Sequence, residues 1–172
     1  AGVPGVLAVG AINFGDAGHD EAADYSARGP SRIDFPSRQD RAKPDLIAID
    51  GVSVTGTGGF PSEFFGTSAS APHVAAIAGL LRQASPAASV ATIRNALTAG
   101  TVDLGPTGFD NTYGAGRLDG VGALGILVPG YASDRDSDGV IDIADAFPDD
   151  PNEFRDTDGD GFLTDGGSHL LT

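Results

Sequence analysis

The stretch that decides the fold is Phe64-Phe65-Gly66-Thr67-Ser68-Ala69-Ser70-Ala71-Pro72-His73-Val74, which continues as the apolar run Ala75-Ala76-Ile77-Ala78-Gly79-Leu80-Leu81. Thr67 and Ser68 stand where a helix N-cap is expected, Gly66 permits a tight turn, and the alanine-rich run favours a helix. Ser68 is therefore predicted at a helix N-terminus. There, unpaired N–H groups and the positive end of the helix dipole face negative charge that develops on a bound carbonyl oxygen. An acyl-transfer nucleophile requires this environment.

The serine stretch also has a plain structural explanation, because Ser and Thr cap helices well and occur at many helix starts. The whole pattern Gly-Thr-Ser-x-x-x-Pro-His-Val, however, resembles the serine motif of the subtilisin-like serine proteases at every position. This resemblance implies that Ser68 is the acylated nucleophile and that its backbone N–H forms half of an oxyanion hole. It further implies that Gly66 and Thr67 border the bound substrate.

His73 follows Ser68 on the same predicted helix. Five residues along a helix rotate by about 140° and rise by about 7.5 Å, so the imidazole is expected to point away from Ser68. We therefore predict a packed structural histidine and not a general base. In the family that the motif resembles, the base histidine precedes the serine in the chain.

Several other segments carry the same resemblance. Residues 6–12 form an apolar run that predicts a buried parallel strand, followed by an acidic surface loop that carries His19. Residues 24–30, 43–48 and 111–120 resemble the Ser-x-Gly-Pro turn, the Lys-Pro-Asp strand and the late Gly-x-Gly strand of subtilases. The family's Ala-Pro-Gly is replaced by Ala-Ile-Asp-Gly at residues 48–51, and we assign no catalytic role to Asp50.

The remaining elements are predicted from local pattern. The small residues on several faces of the serine helix suggest close burial against a sheet and neighbouring helices. Phe64 and Phe65 are expected to be core anchors, and the alternative is that they border the pocket for the leaving-group side of a peptide. Residues 51–61 are glycine-rich, and we expect either a loop beside the nucleophile or a plain connection. A second, amphipathic helix is expected to end near Gly100. A short final helix over residues 121–126 is implied by the resemblance to subtilases.

Composition restricts the classes of function. The 172 residues carry a net charge of −14, which argues against nucleic-acid binding and against attachment to an anionic membrane. No apolar run is long enough to cross a bilayer, and with no cysteine there are no disulfides or thiol chemistry. The chain also lacks methionine, so we expect that its start was removed from a longer product.

The composition changes after residue 127, where aspartate becomes dominant. Residues 134–145 fit a calcium loop, with side-chain oxygens at positions 1, 3, 5, 9 and 12, glycine at 6 and a backbone carbonyl at 7. The predicted ligands of Ca²⁺ in this loop are Asp134, Asp136, Asp138, Val140, Asp142 and Asp145. Because the last position is Asp and not the usual Glu, weak affinity is expected.

A second copy of the loop begins at residue 156, with Asp156, Asp158, Asp160 and the carbonyl of Phe162 as predicted ligands. Its last position is Gly167, so the second loop is incomplete or borrows a carboxylate. Prolines between the copies block the helix of an EF-hand. The repeats resemble thrombospondin type 3 repeats of bacterial secreted proteins, and the alternative is an acidic disordered tail.

Together, these features predict an α/β fold. Residues 1–127 are expected to be the C-terminal part of a subtilisin-like three-layer domain with a mainly parallel sheet. Residues 128–133 are a linker, residues 134–167 an irregular acidic calcium-loop appendage, and residues 168–172 a tail.

The predicted function is that of a portion of a secreted or cell-surface serine endopeptidase that acts on protein or peptide substrates. The triad aspartate and histidine are expected in a missing N-terminal half of the domain, so this chain alone is expected to be inactive. The alternative is a non-catalytic calcium-binding structural or attachment module derived from a protease.

Overall fold

The computed structural model describes residues 5–56, 59, 61–131, 134–137, 139–141, 147 and 149–152. The chain divides into two compact units, Ala1–Leu127 and Val128–Thr172. The first unit contains all the helices and strands of the described residues. No helix among these residues is long and apolar enough to cross a membrane.

The centre of the first unit is a pair of parallel strands, β1 (Val9–Asn13) and β4 (Leu46–Asp50). The register pairs Val9 with Leu46 at one end and Asn13 with Asp50 at the other. Both strands are nearly continuous apolar runs because both faces of a parallel sheet are covered. The predicted α/β fold with a parallel sheet is confirmed, although β1 begins at Val9 and not at residue 6.

A further segment pairs with the free side of β4 without forming a strand. The N–H of Ile47 donates to the carbonyl of Gly116 (3.0 Å), and the N–H of Leu118 donates to the carbonyl of Ile47 (2.8 Å). The sequence predicts a late Gly-x-Gly strand here, whereas the structure forms isolated bridges through Arg117. The positive φ of Gly114 and Gly116 bends the backbone away from a regular ladder.

Three helices pack on this core: α1 (Thr67–Ala84), α2 (Val90–Ala99) and α3 (Gly120–Leu127). Helix α2 begins after Ser89, whose side chain accepts a hydrogen bond from the N–H of Thr92 (3.0 Å), and it ends at Gly100. The end of α2 at Gly100 agrees with the prediction. The buried hydrophobic cluster joins β4 to all three helices and comprises Leu46, Ala48, Val74, Leu81, Ala88, Ile93, Ala96, Leu97 and Ala123.

Two short antiparallel pairs lie in segments that the sequence describes only as connections. Strands β2 (Ser31–Ile33) and β3 (Gln39–Arg41) form one pair, and β5 (Val52–Ser53) and β6 (Glu63–Phe64) form the other. These strands are two or three residues long and largely polar, so they carry no alternation that a pattern can detect. The second pair lies between β4 and α1, with β5 at the start and β6 at the end of the glycine-rich segment.

Helix α1 is buried on one face only. Its buried residues are Ala69, Ser70, Val74 and Leu81, whereas Leu80 is 59% exposed and the alanines at positions 71, 75 and 76 are also exposed. The expectation of burial on several faces is therefore not met by the described part of the chain. Phe65 is 46% exposed, so its predicted role as a core anchor is wrong: β6 ends at Phe64, and Phe65 stands at the surface beside Gly51.

Candidate functional site

Ser68 is the second residue of α1 and is exposed to solvent. The N-cap is Gly66, so the prediction of Thr67 or Ser68 as the cap is wrong by one or two residues. The N–H groups of Ala69 and Ser70 donate to the carbonyl of Gly66 (2.8 and 3.3 Å), which closes the first turn of the helix. The first N–H groups of a helix have no acceptor within it, and that of Ser68 is one of them.

The backbone of Gly66 explains why the turn begins there. Its φ of 101° and ψ of 166° lie in a region that only glycine adopts readily. An added Cβ would meet its nearest heavy atom, the nitrogen of Ser68, at 3.9 Å, so space is available. The requirement for glycine is therefore conformational and not steric.

Pro72 lies inside α1 and is its sixth residue. A proline has no N–H, so the carbonyl of Ser68 lacks the donor that residue i+4 normally supplies. The sequence motif contains this proline, although no role for it is predicted from the sequence.

The turn formed by residues 66–68, here called the serine turn, is contacted by Asp50. Asp50 is the last residue of β4 and is fully buried. Its Oδ2 accepts two hydrogen bonds at 2.6 Å, one from the N–H of Gly66 and one from the hydroxyl of Tyr25. Its Oδ1 is buried and has no hydrogen-bond partner among the described residues. The sequence analysis missed this role. The available signal was a carboxylate at the end of a parallel strand, where functional groups of α/β folds gather.

Tyr25 reaches Asp50 from the loop between β1 and β2. Loss of water around the phenol raises the pKa of Tyr25 to about 12, and the hydrogen bond to Asp50 and its negative charge act in the same direction. About half of the residue, 52%, remains exposed. Tyr25 therefore stays a neutral hydrogen-bond donor to Asp50 at neutral pH.

The two histidines in the described part of the chain contact backbone carbonyl groups and not Ser68. The Nδ1–H of His73 donates to the carbonyl of Ala69 (2.8 Å), one turn earlier in α1. The Nε2 of His19 lies 3.0 Å from the carbonyl of Phe14, and the two rings stack with centroids 5.7 Å apart. Neither imidazole is hydrogen-bonded to Ser68. His169 lies outside the described residues.

A second carboxylate, Asp45, precedes β4 at its opposite end. Its Oδ2 accepts from the N–H of Ala8 (2.6 Å) and from Nζ of Lys43 (2.5 Å), and its Oδ1 accepts from Arg94 of α2 (2.5 Å). The side chains of Lys43 and Asp45 are 9% and 11% exposed. This cluster is a structural anchor, and it gives the Lys-Pro-Asp motif a physical explanation.

The first acidic loop of the second unit is described only in part. The carboxylate of Asp134 accepts from the N–H groups of Ser137 (2.8 Å) and Gly139 (3.1 Å), and Gly139 has the positive φ expected at the sixth position of such a loop. Asp136 and Val140 are also described. The other predicted ligands, Asp138, Asp142, Asp145, Asp156, Asp158, Asp160 and Phe162, lie outside the described residues. Within the described ranges no three acidic or histidine side chains cluster as metal ligands do.

The fold and the serine turn define an α/β protein that presents an exposed serine at the start of a helix. The model of the Subtilase family, peptidase S8, matches residues 1–116, and the chain therefore belongs to the subtilase family.

Two curated relatives are similar in sequence. The subtilisin-like protease SBT2.6 of Arabidopsis thaliana is 41% identical over 89 residues, which are 45% of this chain and 11% of that protein. Bacillopeptidase F of Bacillus subtilis is 30% identical over 139 residues, which are 76% of this chain and 9% of that protein. The chain thus spans about a tenth of the length of these relatives.

Solved structures show the same fold. Fervidolysin from Fervidobacterium pennivorans, a keratinolytic enzyme related to subtilisin, matches 72% of this chain with 19% of its own, at 24% identity and a TM-score of 0.54. The prenylagaramide maturation protease PagA matches 73% of this chain with 44% of its own, at 23% identity and a TM-score of 0.55. At these identities the likeness concerns the fold.

Proposed function

We propose that this chain is a portion of a subtilisin-like serine endopeptidase in which Ser68 is the nucleophile. The observation that carries the proposal is the exposed Ser68 at the start of α1, in a chain that belongs to the subtilase family. Relatives named as proteases support the same activity.

In the proposed reaction, the hydroxyl oxygen of Ser68 attacks the carbonyl carbon of a peptide bond, and a histidine base takes the proton. The tetrahedral oxyanion accepts a hydrogen bond from the N–H of Ser68, which has no acceptor within the helix. Collapse of this intermediate breaks the C–N bond and passes the proton to the leaving amine. Water then hydrolyses the acyl-enzyme by the same steps in reverse.

Gly66 and Thr67 are the proposed neighbours of the substrate backbone. Both precede Ser68 in the turn that connects β6 to α1, and neither is fully buried. A substrate carbonyl placed beside the N–H of Ser68 is therefore close to this turn.

The base histidine and its aspartate are proposed to come from an N-terminal half of the domain. Neither described histidine is bonded to Ser68, and the outer face of α1, including Leu80, is exposed. An apolar helix face of this kind is normally covered by further structure. We also propose that the complete protein acts outside the cell, in keeping with its acidic calcium-type loops.

The activity is tested with the complete protein that carries this chain. A fluorophosphonate probe that acylates activated serines is expected to label the wild-type protein and not Ser68→Ala. Ser89→Ala is the matched control, because Ser89 is another exposed serine at a helix start but lies outside the motif. Labelling that survives in Ser68→Ala would contradict the proposal and favour the alternative of a non-catalytic module.

We further propose that residues 134–167 bind Ca²⁺ in loops like those of thrombospondin type 3 repeats. The donor set fits a hard cation, since the predicted ligands are carboxylate and carbonyl oxygens. Asp134 supports the first loop, because its carboxylate already orders the backbone of Ser137 and Gly139. Bound Ca²⁺ would offset the repulsion between the aspartates.

Calcium binding is tested by titration calorimetry on the complete chain. Saturable binding is expected in the millimolar range or tighter, and the double variant Asp136→Ala/Asp138→Ala should weaken it at least tenfold. Asp150→Ala is the control, since Asp150 lies in the acidic region but outside both predicted loops, and its carboxylate accepts from the side chain of Asn152. If all three proteins respond alike, the segment is an acidic tail without a defined site.

A further inference from the structure

The proposed mechanism leaves one buried charged group unused, and that group contacts the serine turn. We propose that Asp50 is a positioning residue that, with Tyr25, fixes the backbone at Gly66 and thereby the placement of Ser68. This inference rests on the proposed function of Ser68 as nucleophile. It assigns Asp50 no contact with substrate and no part in proton transfer.

Asp50 contacts the turn directly through a backbone hydrogen bond. The N–H of Gly66 donates to Oδ2 of Asp50 at 2.6 Å, a short bond of the kind that a carboxylate makes with a backbone amide. Gly66 has no side chain with which to cap the helix. Asp50 thus holds the residue at which the chain turns into α1, two positions before Ser68.

Asp50 is itself immobile. It is fully buried, it is the last residue of β4, and its carbonyl accepts from the N–H of Phe14 (2.9 Å). The register of the parallel pair places it opposite Asn13 of β1. A carboxylate on the rigid sheet is a more exact support for a turn than a residue of a loop.

Tyr25 also contacts the carboxylate of Asp50. Its hydroxyl donates to the same Oδ2 at 2.6 Å, so two donors converge on one oxygen. The next residue, Ser26, is buried, and its hydroxyl oxygen accepts from the N–H of Ala11 in β1 (3.0 Å). Tyr25 is therefore anchored to the sheet as well, and it fixes the direction in which the carboxylate points.

A purely structural role predicts a different outcome, and Asp45 supplies the comparison. Asp45 directly precedes β4 and Asp50 is its last residue, and both are hydrogen-bonded and poorly exposed. Only Asp50 contacts the serine turn. If Asp50 were merely a buried anchor, its loss would lower stability as the loss of Asp45 does, without a specific effect on turnover.

The kinetic test uses the complete protein. Asp50→Leu, which removes the acceptor but keeps the branched shape of the side chain, is expected to lower kcat roughly 10- to 100-fold with KM changed less than about threefold. Asp50→Asn keeps one oxygen acceptor and should recover most of the loss. Asp45→Asn should destabilise the protein but leave kcat within about twofold. Equal losses of kcat in Asp50→Leu and Asp45→Asn would overturn the inference.

The contact itself is tested by hydrogen–deuterium exchange of the amide of Gly66 in the same protein. Exchange should be about 10- to 100-fold faster in Asp50→Leu, and unchanged in Asp45→Asn. Should Asp50→Leu fail to fold, Tyr25→Phe removes one of the two bonds, and about 2- to 10-fold faster exchange is expected. An unchanged rate at Gly66 would overturn the inference.

Failure of the proposed function gives a different result. In that case the fluorophosphonate probe does not label Ser68, whatever residue stands at position 50. Exchange at Gly66 then still decides whether Asp50 fixes the turn.

Discussion

At the scale of single residues, the serine turn depends on a backbone conformation and on one buried oxygen. Gly66 adopts a φ that other residues avoid, and its N–H donates to the carboxylate oxygen of Asp50 that also accepts from the hydroxyl of Tyr25. The motif around Ser68 could be identified from the sequence because every position of its pattern is local in the chain. The role of Asp50 could not be predicted, because its partners Tyr25 and Gly66 lie 25 and 16 positions away in the chain.

Replacement of Gly66 by alanine is predicted to destabilise the protein by about 1–3 kcal/mol. The cause is backbone strain, since a Cβ at this position has room. Gly79→Ala is the matched control: Gly79 lies in the interior of α1 with no atom within 4 Å of an added Cβ, so a gain of about 0.5–1 kcal/mol is expected. Urea unfolding of both variants measures the difference, and equal effects would contradict the assignment.

The raised pKa of Tyr25 predicts a loss of stability at high pH. In the folded protein this phenol keeps its proton up to about pH 12, whereas its ordinary value is 10.0. Between these values the native state holds more protons than the unfolded state, so the free energy of unfolding falls as pH rises from 10 to 12. Below pH 10 the contribution is fully present. Tyr25→Phe should lack this component when unfolding is followed against pH, and identical profiles would refute it.

At the scale of elements, the sequence predicted the three helices and the parallel strands better than the short strands. Apolar periodicity located α2, and Gly100 marked its end. By contrast, β5 and β6 have two residues each and are held by pairing across a glycine-rich loop. No local pattern encodes such a pairing, because its hydrogen bonds depend on where β4 and α1 place the two segments.

Helix α2 allows a test of one-sided burial. Leu97 is 1% exposed within the core cluster, whereas Val90 in the same helix is 81% exposed. Leu97→Ala is predicted to cost about 2–5 kcal/mol through lost burial and the cavity that remains. Val90→Ala should change stability by less than about 0.5 kcal/mol. Thermal unfolding of the two variants is the measurement, and similar costs would contradict this packing.

At the scale of the whole molecule, the first unit holds the core and the serine turn, and the second carries the acidic loops. The chain has 24 acidic and 10 basic residues. Its subtilase assignment rests on residues 1–116, within the first unit. The calcium proposal concerns the second unit alone, so each proposal can fail without the other.

The 172-residue chain by itself is predicted to lack efficient peptidase activity. Neither described histidine is bonded to Ser68, and sites deprived of their base retain only residual catalysis. Hydrolysis of a fluorogenic peptide library by the purified chain should match that of its Ser68→Ala variant. Turnover that this substitution abolishes would show that the chain supplies its own base.

Strand β4 also sets a fixed distance along the sheet between Asp45, which precedes it, and Asp50, its last residue. Five steps of about 3.3 Å separate the Cα atoms of the two residues by roughly 16 Å, and each carboxylate is hydrogen-bonded to a different set of partners. One residue inserted into β4 would lengthen the strand and turn one of the two carboxylates to the opposite face of the sheet. Insertions and deletions among natural variants of this protein should therefore be absent from residues 45–50. They should occur instead in the exposed hairpin of β2 and β3, where an added residue does not change the spacing of Asp45 and Asp50.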